Sequence, residues 1–216
     1  MQVRQLVVGP YQTNCYLLEE EEKGRCWIID PGNNAPFLID AVGGTHLEVA
    51  AILLTHAHWD HIAALGDVHA AFPSAPIYVG EKDKDFLGPN ALERFEQTGA
   101  DRGFLDVYHD ELAKLPDPTH LLQGGEQLFG GSIQVIATGG HTPGGMSYYV
   151  PNGHLLFCGD TLFAGSVGRT DLYGGNYEAL ARSIQKLRAL PGTTIVLPGH
   201  GPETTLAQEQ AENPYF

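Results

Sequence analysis

The residues best suited to chemistry lie in one stretch, His56-Ala57-His58-Trp59-Asp60-His61. Three imidazoles and a carboxylate this close together offer nitrogen and oxygen donors to a divalent metal. Three further sites share that character: Gly140-His141-Thr142-Pro143-Gly144, Gly159-Asp160 and Pro198-Gly199-His200-Gly201. Together the four sites hold five imidazoles and two carboxylates. That set is too rich for one tetrahedral zinc and suits two metals sharing a bridge, with zinc expected and iron or manganese as the alternatives. Two ions about 3.5–4 Å apart make hydroxide at neutral pH and polarise a carbonyl or phosphoryl group, which is hydrolytic chemistry. No serine competes as nucleophile, because Ser147, Ser166 and Ser183 lack a nucleophile-elbow context. Gly139-Gly140 and Gly174-Gly175 fall outside any strand–Gly-rich-loop–helix fingerprint, which disfavours a dinucleotide fold.

Residues this far apart meet only if strands deliver them to one rim. Each site follows an apolar run, ending at Leu54, Ile136, Phe157 and Leu197, and strand-end loops on one rim of a sheet converge. Glycines beside them let backbone approach closely. Val3–Val8, Asn14–Glu19 and Arg25–Asp30 read as an antiparallel meander, with the charge run at 19–22 a solvated hairpin tip and Asp30-Pro31-Gly32 a turn. A helix is expected over 35–42 and a doubly covered strand over 50–54, with the histidine stretch opening the next helix. Ile62, Ala63, Ala64, Leu65 and Val68 continue at helical spacing to Pro73. Residues 77–79 form a short strand. Residues 81–118 are hard to read: a helix near 91–98, and either an active-site flap or a surface insertion, with Tyr108 and His109 as surface or packing residues. Strands resume at 133–137, 146–150 and 154–158, the last two joined by the hairpin signal Pro151-Asn152-Gly153. Then come an amphipathic helix over 177–190, a strand over 194–197 and a closing helix over 203–211. This rhythm fits two facing sheets with helices outside.

The chain has 216 residues, with 27 glycines and 14 prolines, enough for a sizeable core and many tight turns. Twelve basic against 26 acidic residues give a net charge of −14, which repels nucleic acid and anionic membranes. Cys15, Cys26 and Cys158 are odd in number, widely spaced and set in apolar runs, as expected of buried reduced thiols in a cytoplasmic protein. Cys158 is read as a packing residue. No signal peptide or membrane-spanning run is visible. His46, His69, His120 and His154 read as solvated.

The order His-x-His-x-Asp-His, then His141, Asp160 and His200, resembles the metallo-β-lactamase superfamily over nearly the whole chain. The resemblance implies an α+β fold, the αββα four-layer sandwich of two mixed β-sheets packed face to face with helices outside, as a single domain over 1–216. It further implies that His56, His58 and His141 hold one metal and Asp60, His61 and His200 a second. Asp160 bridges, and Asp60 and Asp160 are the catalytic carboxylates. Within the superfamily, Gly159-Asp160-Thr161-Leu162-Phe163, Gly168-Arg169-Thr170-Asp171 and Pro198-Gly199-His200-Gly201-Pro202 resemble the glyoxalase II-like branch. Those enzymes hydrolyse thioesters such as S-lactoylglutathione, so a small-molecule thioester is the expected substrate. The likeness is to short bacterial members ending in a segment like Asn213-Pro214-Tyr215-Phe216. The C-terminal helical domain that supplies much of the glutathione site in full-length glyoxalase II has no room in the 16 residues after His200. Arg169 either pairs with a substrate carboxylate or forms a salt bridge with Asp171. Persulfide dioxygenases share the Gly-Arg-Thr-Asp run and would hold one iron through His56, His141 and Asp160. Their Ala-His-Asp pattern differs from His200-Gly201-Pro202 here. Phosphodiester or RNA cleavage, also found in the superfamily, sits poorly with the acidity.

Overall fold

Alternation of side chains along the strands builds the layers. The computed structural model describes residues 1–98 and 102–216. Its first sheet is ordered β1 (Gln2–Val8), β2 (Thr13–Glu20), β3 (Arg25–Ile29), β4 (Glu48–Leu53), β5 (Ile77–Gly80), β6 (His120–Leu122). β1 to β3 form the expected antiparallel meander, and β3 to β6 run parallel. The second sheet contains β7 (Gln127–Leu128), β8 (Ile133–Ala137), β9 (Met146–Val150) and β10 (Leu155–Gly159). After a small ribbon, β11 (Leu162–Phe163) with β12 (Ser166–Val167), come β13 (Ile195–Pro198) and β14 (Thr204–Thr205). The order across this sheet is β14-β13-β10-β9-β8-β7, with only the β10–β13 pair parallel.

Successive residues face opposite sides of a strand. Tyr16, Leu18, Trp27 and Ile29 of the first sheet therefore meet Tyr148, Phe157 and Leu197 of the second in the central core. Cys15, Leu17, Cys26 and Ile28 point the other way. They pack beneath α1 (Ala35–Gly43), α2 (Trp59–Ile62), α3 (Leu65–Ala71), α4 (Ala91–Gln97) and α5 (Arg102–Leu112). On the far side, Leu156, Cys158 and Val196 pack against α6 (Tyr177–Arg188) and α7 (Leu206–Glu212). Three cores between four layers give the αββα sandwich the sequence led us to expect. Trp27 and Phe157 are at most 1% exposed, and burying each such side chain contributes about 2–3 kcal/mol. The three cysteines are buried free thiols.

Several local expectations shift. The histidine stretch does not begin in a helix: residues 54–58 form a loop, and only Trp59–Ile62 is helical. The expected helix through 62–68 is two, because Ala64 N–H donates to Gly32 O at 2.7 Å and the chain bends there. The β9–β10 hairpin forms, but the left-handed residue is His154 (φ 49°) and not Gly153. Residues 204–205 pair as β14 with β13, so the closing helix starts at Leu206, where the Thr205 hydroxyl caps it by accepting from Gln208 N–H. Segment 81–118 holds a 3-10 turn (Glu81–Phe86), α4 and α5. Its residues 99–101 lie outside the described set.

Candidate metal centre

Strand direction explains why the site sits where it does. β8, β10 and β13 share one direction, so the loops after them leave the second sheet at one edge. β3, β4 and β5 are likewise parallel, and their C-terminal ends carry Asp30, the histidine stretch and Asp83. The two rims face each other across the top of the central core. They come close: a Cβ on Gly80 would collide with the carbonyl of Gly144.

All seven residues read as ligands from the sequence converge here. His56 Nε2 lies 3.1 Å and His141 Nε2 2.8 Å from His58 Nδ1, so three ring nitrogens surround one point. A second group forms where His61 Nε2 and Asp60 Oδ2 each lie 3.3 Å from His200 Nε2. Asp160 stands between the groups, its Oδ2 3.6 Å from His141 Nε2 and 3.5 Å from His200 Nε2. Its Oδ1 is 3.5 Å from His61 Nε2, buried, and accepts no hydrogen bond. Gly199 backs that oxygen so closely that a Cβ would strike it. His56, His61 and His141 are buried, while His58, Asp60, Asp160 and His200 are half-buried and open to a cleft.

Four of the five rings have an outward partner at Nδ1, whereas His58 turns its own Nδ1 to the centre. His61 Nδ1 lies 2.9 Å from Asp30 Oδ2, His141 Nδ1 2.8 Å from Arg169 O and His200 Nδ1 3.0 Å from Tyr11 O. His56 Nδ1 lies 3.1 Å from the Thr55 hydroxyl, which itself donates to Asp30 Oδ2 at 2.5 Å. With Nδ1–H donated outward, Nε2 presents a lone pair to the centre. Burial pushes the His56 and His58 pKa values down, His58 to about 3, with help from neighbouring rings. Burial works against ionising Asp160 and Asp60, yet His61 and the other rings hold both below the ordinary carboxylate range. At His61 burial is likewise outweighed, and Asp60, Asp160 and Asp30 raise its pKa. Neutral nitrogens on one side and crowded carboxylates on the other call for a cation. Divalent metal fits this donor set, and it would give the orphaned Asp160 oxygen a partner.

Beside the centre opens a cavity of about 550 Å³, walled by Tyr11, Trp59, Phe86, Phe95, Leu172 and Tyr173. Segment 81–118 thus contributes to the cleft wall. Trp59 is braced by Tyr11 (4.7 Å, edge-on) and Tyr108 (5.1 Å, stacked). Tyr108 and His109 are not among the clustered ligands, and His46, His69, His120 and His154 also lie outside the cluster. Of these four, His69 is half-buried and the others are exposed. Arg169 borders the cavity, but its guanidinium pairs bidentately with Asp171 at 2.7 and 2.6 Å. Its carbonyl is what orients His141.

Two buried carboxylates escaped the sequence reading. Asp30 accepts from Thr55 N–H at 2.7 Å as well as from Thr55 Oγ1 and His61, so it steadies one ring of each group. Asp83 accepts from Ala57 N–H (3.3 Å), Thr142 Oγ1 (2.7 Å) and Gly144 N–H (2.6 Å), tying the two rims together. Burial raises its pKa, against the pull of those donors. Both follow parallel strands in the first sheet, and strand direction is the signal that would have found them. Asp83→Ala leaves three buried donors unsatisfied and is expected to cost about 3 kcal/mol or more. Urea unfolding of the metal-loaded protein checks this; an unchanged midpoint would show that the rims do not need the tie.

With this geometry in hand, relatives place the chain. The family model of the metallo-β-lactamase superfamily matches residues 8–200, and the chain belongs to that superfamily. It is 41% identical to the probable metallo-hydrolase YqgX of Bacillus subtilis, over all of this chain and 98% of that one. It is 35% identical to the hydroxyacylglutathione hydrolase GloC of Haemophilus influenzae, again over all of this chain and 98% of the relative. Similar solved structures include the BLEG-1 B3 metallo-β-lactamase, at 38% identity and a TM-score of 0.84 over 99% of both chains. TTHA1623 in a di-iron-bound form gives 38% and 0.82, covering 99% of this chain and 100% of that one. ETHE1 from Myxococcus xanthus gives 27% and 0.77, covering 99% and 84%. Among the described residues no helix is long and apolar enough to cross a membrane.

Proposed function

We propose that the chain is a thioester hydrolase of the glyoxalase II type, acting on S-acyl-glutathione-like small molecules through two divalent ions. His56, His58 and His141 would hold one ion, Asp60, His61 and His200 the other, with Asp160 shared. Zinc is the metal proposed, and iron is the one to exclude, given the di-iron form of a relative. The observation that carries this reading is the Asp160 carboxylate, placed between two complete groups of donors. When bound, the ions would supply Lewis acidity and ionise water near neutral pH.

The chain's own residues do the rest. Asp60, whose Oδ2 accepts from Thr13 Oγ1 at 3.3 Å, is held so that its carboxylate can orient the attacking water. The aromatic walls take the acyl and thiol portions out of water and hold the carbonyl against the centre. Among the described residues, every imidazole and carboxyl group lining the cavity belongs to the metal groups, apart from Asp83, which is tied to Thr142 and Gly144. Among the described residues, no carboxyl or imidazole group outside the metal groups is free to protonate a leaving group. A thiolate with pKa about 8.5 leaves without one, whereas an amine does not. The −14 charge weighs against phosphodiester substrates. Three buried free thiols support a reducing, cytoplasmic setting.

A second reading has support in the ETHE1 likeness: His56, His141 and Asp160 as a single-iron triad of a persulfide dioxygenase. The complete second group at Asp60, His61 and His200 favours the hydrolase. Elemental analysis of purified protein, with parallel assays of S-lactoylglutathione hydrolysis and of O₂ uptake with glutathione persulfide, separates them. The expected result is two ions per chain and hydrolysis without O₂ uptake. A single-iron protein that consumes O₂ and leaves the thioester intact would overturn the proposal.

A further inference from the structure

The turn spanning 139–146 has a second use. His141 and Thr142 face the catalytic cleft, while Gly139, Gly140, Gly145 and Met146 line another cavity of about 650 Å³, and Pro143 borders both. α6 supplies the opposite wall. Lys82, Arg182 and Lys186 all line it, three of the chain's 12 lysines and arginines. The one carboxylate among the lining residues is Glu81, whose oxygen accepts from Gln123 Nε2 at 3.0 Å. Among the described residues none of the three cations has a carboxylate partner, although acids outnumber bases 26 to 12. Lys186 Nζ donates to Ala137 O at 2.6 Å, which fixes its stem along the cavity wall. Arg182 and Lys186 lie one helical turn apart, a like-charge spacing that disfavours the helix unless something offsets it.

We propose that this cavity binds a small molecule through a phosphate group. Three cations from two walls suit a tetrahedral anion with several oxygens, and arginine adds a planar fork for two of them. The volume exceeds what phosphate needs, and Leu122, Pro143 and Met146 offer apolar contact to an organic body. The site is separate from the metal centre and does not depend on which reaction occurs there.

The test is a calorimetric titration of the full-length, metal-loaded protein with inorganic phosphate and with ribose 5-phosphate at low ionic strength. Saturable binding is expected, weakened about tenfold or more in the double variant Arg182→Ala, Lys186→Met. A control carrying the same charge change elsewhere, Lys23→Met with Lys114→Met, should bind like the parent. Lys82→Met provides an independent reading from the opposite wall, should the helix variant fail to fold, and is also expected to weaken binding. The proposal is overturned if binding does not saturate or if both double variants weaken it equally. It is also overturned if Lys82→Met or the Arg182/Lys186 variant binds as well as the parent; abolition of that binding by chelation of the metals would then place the phosphate at the metal centre.

Discussion

Asp160→Ala is expected to lower thioester turnover at least about a thousand-fold, some 4 kcal/mol of transition-state stabilisation, and to reduce the metal retained per chain. The Asp160 oxygens lie 3.5–3.6 Å from the Nε2 atoms of His61, His141 and His200, rings of both groups. Its removal takes negative charge from between them and opens a gap beside Gly199. The fold should survive, because the carboxylate is not part of any of the three cores. Elemental analysis and kinetics on folded protein, with circular dichroism to confirm the fold, make the measurement. Full turnover with full metal content would remove Asp160 from its proposed bridging position.

The next largest effect is expected at a residue outside the metal groups. Asp30→Asn keeps the shape, and asparagine tolerates the left-handed backbone that Asp30 adopts at φ 49°. It nevertheless replaces one carboxylate oxygen with an NH₂ group. Three hydrogen bonds converge on Asp30, from Thr55 N–H, Thr55 Oγ1 and the His61 ring. One of them must then be lost or become a clash between donors. His61 loses its orienting partner, and His56 loses it one step removed, through Thr55. Metal affinity is expected to fall about 10–100-fold, the usual range for a supporting group behind a ligand. Competition with a fluorescent chelator measures it. An unchanged affinity would mean that the ring orientations are set by local packing alone.

The seven clustered residues were legible because the chemistry is written locally. Three imidazoles and a carboxylate within six positions, and single ligands flanked by glycine after apolar runs, point to metal before any contact is known. Asp30 and Asp83 were not legible for the opposite reason. Asp30-Pro31-Gly32 reads as an ordinary turn, and Asp83 sits in the alternating charges of Glu81-Lys82-Asp83-Lys84-Asp85. Their partners lie 25 to 61 residues away, so nothing nearby distinguishes them from solvated carboxylates. The same limit applies to the break after Ile62, which depends on the carbonyl of Gly32, and to β14, whose two residues exist as a strand only because β13 is beside them. The layers were legible from the order of strand-like and helical runs, but the sharing of β2 and β3 between two cores was not, because both faces of these strands are buried and their sequences do not alternate.

The two rims have an ancestry in the chain itself: one comes from residues before 84, the other from residues after 137. Few bonds cross between them apart from the centre and Asp83, and β2 makes most of these. Asn14 Nδ2 donates to Pro198 O and Gly201 O, and Tyr16 OH to Pro198 O. Divalent metal held jointly by both halves would therefore act as a rivet across a seam. Its binding energy is counted again as cohesion, about 4 kcal/mol when the free ion is at a thousand times its dissociation constant. A melting temperature measured for this chain is consequently also a reading of how much metal the sample carries.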